Sequence, residues 1–77
     1  MDRIKVGVTY VMRNEANTDI AESYAEVPLR ADLAQFKPDG TFIADMEIHA
    51  ILDKYVNVLA ELQGYYKAGI ETIEEVK

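Results

Sequence analysis

The chain contains no cysteine and no tryptophan, one histidine and one serine, two prolines and four glycines among 77 residues. Without cysteine there is no disulfide framework, no thiolate nucleophile and no Cys-type zinc site, and the composition fits a reducing compartment, with the cytoplasm as the expected location. Cation-bearing side chains are also scarce: 8 Lys and Arg stand against 14 Asp and Glu, a formal charge of −6. Sequence-independent affinity for nucleic acid comes from releasing counterions onto clustered Lys and Arg, so direct nucleic-acid binding is not expected. No long apolar run occurs, and the alternating start Met1-Asp2-Arg3-Ile4-Lys5 resembles neither a signal peptide nor a membrane span. Large α/β enzyme architectures do not fit in one domain of this length.

Apolar residues nevertheless make up 49% of the chain, enough to predict one folded domain over residues 1–77. A core in a chain below ~80 residues supplies only about 3 to 5 kcal/mol, and with disulfides excluded a partner subunit is an attractive source of further stability. Charge is uneven. Residues 1–13 sum to +2, whereas residues 14–35 sum to −4 through Glu15, Asp19, Glu22, Glu26 and Asp32 against Arg30.

From Ile4 to Arg13, Ile4, Val6, Val8, Tyr10 and Met12 alternate with Lys5, Gly7, Thr9, Val11 and Arg13, a period-two pattern that predicts a half-buried strand. Residues 14–19 are rich in turn formers. Over residues 20–36 the pattern suits either a strand or a capped helix. Pro28 favours an edge strand, because proline stops a helix but is tolerated at a sheet edge. Lys37-Pro38-Asp39-Gly40 then predicts a tight turn that pairs Phe36 with Phe42-Ile43, the following strand running from Thr41 towards Met46.

After Asp45, a suitable cap, Ile48, Ile51, Leu52, Tyr55, Val58, Leu59, Leu62, Tyr65 and Tyr66 recur at steps of three and four, predicting an amphipathic helix of roughly 20 residues that ends near Gly69. Ile70, Ile73 and Val76 fit a short helix or a strand. The expected fold is α+β: a three-stranded antiparallel meander in β-β-β-α order, with one long C-terminal amphipathic helix packed on one face.

Catalytic options are few. Ser23 lacks the flanking glycines of a nucleophile elbow, so a Ser23–His49–Asp triad has no supporting motif. Asp45, His49 and Asp53 share one helix face, but one imidazole with carboxylates makes a weak set of ligands, and a solvated acidic helix start accounts for them. The four glycines are scattered and form no phosphate loop. The expectation is therefore a non-enzymatic chain with no cofactor and no metal.

Two functions remain. The first is an acidic inhibitor or adaptor that binds a basic surface of a larger protein, such as a nucleic-acid-processing one. Glu15, Asp19, Glu22, Glu26 and Asp32 would steer it, and Tyr65 or Tyr66 would anchor it, because adjacent helical positions diverge by about 100° and one of the pair must face out. The second is a self-associating assembly protein, a dimer in the simplest case. Its helix stripe divides into Ile51, Tyr55, Val58, Leu62 and Tyr65 on one side and Ile48, Leu52, Leu59 and Tyr66 on the other, one set for the sheet and one for a second subunit.

Overall fold

In the computed structural model, residues 3–33, 35–39, 41–43 and 46–76 are described. The order of elements is β1 (Arg3–Arg13), β2 (Ile20–Arg30), a 3-10 turn (Ala31–Leu33), β3 (Gln35–Phe36), β4 (Phe42–Ile43), α1 (Met46–Leu62) and β5 (Lys67–Glu75). The chain is α+β, with an antiparallel sheet and one helix.

β1 and β2, 11 residues each, form a hairpin in which Val6 faces Val27 and Tyr10 faces Ser23. Its turn is built by Asn14: the side-chain Oδ1 accepts from the Thr18 and Asp19 amides at 2.8 and 3.1 Å, and the Asn14 amide donates to the Asp19 carbonyl. Asn17 takes the left-handed conformation at φ 60°, which asparagine tolerates better than most residues. Counting back from the Asn14–Asp19 bond, antiparallel alternation makes Lys5–Pro28 a pair without ladder bonds. Pro28 therefore sacrifices nothing, and β2 is an edge strand as its proline implied.

The expected meander is corrected in two places. The Phe36–Phe42 hairpin forms, with the rings edge to face at 5.4 Å between centroids, but it is a separate two-stranded sheet. β2 ends at Arg30 and the 3-10 turn redirects the chain; among the described residues the hairpin is joined to the main sheet by the Thr41–Glu74 bridge and packs Phe42 into the core. The third main strand is β5, giving the order β2-β1-β5 with the N-terminal strand central. The helix is consequently not C-terminal. The expected roles of Gly40 in the turn and Asp45 as the cap lie outside the described residues.

The helix is also shorter than expected, at 17 residues. Gly64, at φ 86°, is the stop rather than Gly69. The Tyr65 amide donates to the Ala60 carbonyl and the Gly64 amide to that of Glu61, the pair of bonds that satisfies the last helical carbonyls around a left-handed residue. Gly69 lies in β5, opposite Val11.

β5 contains a bulge. Thr9 pairs with Thr72 while Tyr10 pairs with Ile70, leaving Glu71 as the extra residue. This brings Ile70 and Ile73, three positions apart, onto the same inner face, so their helix-like spacing occurs in a strand. The core joins Val6, Val8, Tyr10 and Met12 of β1 to Ile48, Leu52, Val56 and Ala60 of α1, with Val27, Leu29, Phe42 and Ala68 around them. Asn57 fastens helix to sheet: its Nδ2 donates to the Ala68 carbonyl at 3.0 Å and its Oδ1 accepts from the Ala68 amide at 2.9 Å.

Candidate interaction site

Packing α1 on one side of the sheet leaves the other side in solvent, and the register arranges its side chains in rows. Glu26, Gly7 and Glu74 make one row, Tyr24, Thr9 and Thr72 the next, and Glu22, Val11 and Gly69 the third. Three carboxylates from the two edge strands thus flank the central strand, although Glu74 is 48 residues from Glu26 in sequence.

Tyr24 organises this face. A Cβ placed on Gly7 would lie 2.9 Å from Cε2 and 3.0 Å from Cζ of the Tyr24 ring, so the phenol lies across β1 in the space that glycine leaves open. Half of the tyrosine surface remains exposed. Partial desolvation against the sheet, followed by the nearby Glu26 and Glu74 carboxylates, raises the phenol pKa above its ordinary value. Lys5 approaches Glu26 at 3.9 Å, but both side chains are exposed and such pairs hold weakly. The arrangement is an aromatic plate bordered by anionic oxygens, which suits the flat, delocalised cation of arginine: a ring face for stacking and carboxylates for hydrogen bonds.

The residues expected to interact are divided by the fold. Glu22 and Glu26 stand on the outer sheet face beside Tyr24. Glu15 and Asp19 are exposed in the β1–β2 turn. Asp32 accepts two hydrogen bonds from the Arg30 guanidinium, at 2.7 and 3.1 Å, and so has a local counter-charge. Tyr65 and Tyr66 are not helical as expected. Tyr65 packs against the core after the helix stop, and Tyr66 is 62% exposed with its amide donating to the Arg13 carbonyl. Tyr24, Gly7 and Glu74 were not among the expected residues. The available signal was a glycine in the alternating strand, a position where an aromatic from a neighbouring strand often covers the gap.

His49 borders an open cleft of about 610 Å³ between the start of α1, the β3–β4 hairpin and β5, together with Asp39, Phe42, Ile70, Glu71 and Glu74. Among the described residues, no three His, Cys, Asp or Glu side chains group as metal ligands. The Asp45 member of the sequence cluster lies outside the described residues. Ser23 faces the core side of β2, whereas His49 borders β5 at the opposite edge of the sheet, so the two do not form a catalytic pair.

No family model, curated protein or solved structure matches the chain. Among the described residues, no helix is long and apolar enough to cross a membrane.

Proposed function

We propose that the chain is a non-enzymatic docking module, an adaptor or inhibitor located in the cytoplasm, whose open sheet face receives a basic surface of a larger protein. The observation that supports this reading is the placing of Tyr24 over Gly7 between carboxylates of both edge strands. A partner arginine stacked on the ring gains a cation–π contact and charge-assisted bonds to Glu26 or Glu74. Glu15, Asp19 and Glu22 extend the negative field, and a net charge of −6 speeds encounter with a basic partner, an effect of ~10- to 10³-fold in steered associations that falls with salt.

The test is an amide NMR titration with a short oligoarginine peptide at low and high ionic strength. Shifts concentrated at Gly7, Thr9, Tyr24 and Thr72, weakened by salt and by Glu26→Gln with Glu74→Gln, are expected. Shifts spread evenly over all exposed carboxylates would remove the sheet face from consideration. Capture of host proteins on the immobilised chain, with Tyr24→Ala as the control, then identifies the natural partner.

A further inference from the structure

The helix carries a second, unrelated surface. Ile48, Leu52, Val56 and Ala60 are buried, while Ile51, Tyr55, Val58 and Leu62 keep 51, 40, 48 and 79% of their surfaces in solvent. These four follow steps of four, three and four, the spacing of a two-helix seam, and they lie within about 60° of arc beside the buried face of α1. The flanking charges are informative. Lys54 and Glu61 both border the stripe on the same side and are both exposed.

We propose that this stripe is covered by the same stripe of a second copy, with the two helices antiparallel about a two-fold axis. In that pairing Tyr55 of one copy layers against Val58 of the other, and Ile51 against Leu62. The positions bordering these layers on one side are then Lys54 of one helix and Glu61 of its mate, so two opposite-charge pairs form by symmetry. A parallel pairing sets Lys54 beside the apolar Leu59 and forms neither pair. Antiparallel helices also place each positive helix end beside a negative one. The outer edge of β2 is a poorer route to a dimer: two-fold pairing centred on Tyr24 sets Glu22 against Glu26 of the second copy, and like charges directly opposite repel. The helix surface does not overlap the sheet face, so each is testable without the other.

The seam from Ile51 to Leu62 is about 18 Å long, small for an interface, which places the dimer dissociation constant in the micromolar range. Sedimentation equilibrium of the full chain from about 1 to 200 µM is expected to show a species of 8.7 kDa giving way to one of twice that mass. Val58→Glu is expected to stay monomeric throughout with an unchanged circular dichroism spectrum, because Val58 faces water in the single chain. Lys54→Glu is expected to weaken the dimer about tenfold, and Lys54→Glu combined with Glu61→Lys to restore it to within about threefold. Tyr24→Ala is expected to leave self-association unchanged. A chain that remains monomeric over the whole range overturns the proposal. So does a Val58→Glu variant that still dimerises, or a charge exchange that fails to recover.

Discussion

Replacing Gly7 by alanine examines the outer sheet face most directly, because the new methyl group must occupy space that Tyr24 holds. The methyl carbon would lie 2.9 Å from Cε2 and 3.0 Å from Cζ, closer than carbon atoms pack, so the ring has to move. The obstacle is the far end of a half-exposed side chain, which rotates into solvent more readily than backbone shifts. Gly→Ala at a strand position with ordinary φ also removes unfolded-state freedom, a gain of about 0.4 to 1 kcal/mol. In a Tyr24→Ala background, where nothing blocks the methyl, Gly7→Ala should therefore raise Tm by roughly 2 to 8 °C. In the native background the gain is offset by the displaced ring, and Tm should change little. The assay is a double-mutant cycle by thermal unfolding, joined to a phenol titration followed by NMR. Once displaced, Tyr24 leaves the partly desolvated seat beside Glu26 and Glu74, and its raised pKa should return towards the ordinary tyrosine value. The pH consequence has a definite sign. A phenol whose folded pKa is raised keeps its proton longer in the folded state, so stability falls as pH rises through the unfolded value near 10 towards the folded one, and Gly7→Ala should reduce that fall. Equal effects of Gly7→Ala in both backgrounds, with no change in the titration, would show that the ring does not lie over Gly7.

Four further outcomes follow from the packing. Asn57→Ala removes the side chain that bonds both polar groups of Ala68, and should cost about 1 to 3 kcal/mol in urea unfolding, detaching the β5 end from α1 first in hydrogen exchange. Gly64→Ala meets no atom within 4 Å but forces a side chain to φ 86°, so a loss of about 1 kcal/mol is expected by the same measurement. Leu52→Ala opens a fully buried site and should cost about 2 to 5 kcal/mol, comparable with the whole stability of a core this small, whereas Ile51→Ala in dilute solution should change stability by less than about 0.5 kcal/mol. Asp39 is held below the ordinary carboxylate pKa first by the Thr41 amide and then by its hydroxyl, so its contribution to the hairpin turn is present above the unfolded value and is lost as pH falls through the lower folded one. The Thr41 amide resonance should titrate in that acid range, and Asp39→Ala should abolish the step.

Much of the architecture is legible one segment at a time. The alternation of Ile4 to Met12 determines β1 and its buried face, because side-chain direction in a strand depends only on whether a position is odd or even. Asn14 to Asp19 determines the first turn, Pro28 the edge status of β2, and the turn formers after Phe36 the small hairpin with its two rings. The divided helix stripe is legible as far as Leu62, but Val56 and Ala60, small members of the buried face, are hidden among larger neighbours, and Tyr65 and Tyr66 lie beyond the helix with the opposite exposure to the sets their spacing gives them. Each of these features depends on chemistry within a few residues of itself.

The remaining features were decided by the tertiary structure. Ile70 and Ile73 share a face only because β1 accepts a strand with a bulge at Glu71, and no local period in residues 67–75 records that partner. Two glycines stood near the helix end, and the strand pairing of Lys67 to Glu75 with β1 selects Gly64, since a helix continued to Gly69 would consume residues the sheet needs. The separation of the β3–β4 hairpin from the main sheet is likewise a tertiary outcome: the 3-10 turn at Ala31–Leu33 carries the chain away from the free edge of β2, and β5 supplies the third strand on the other side of β1. The outer face depends most on long-range pairing. Its aromatic comes from β2, its glycine from β1 and one of its carboxylates from β5, and strand pairing brings together groups from both ends of the chain that composition leaves unrelated.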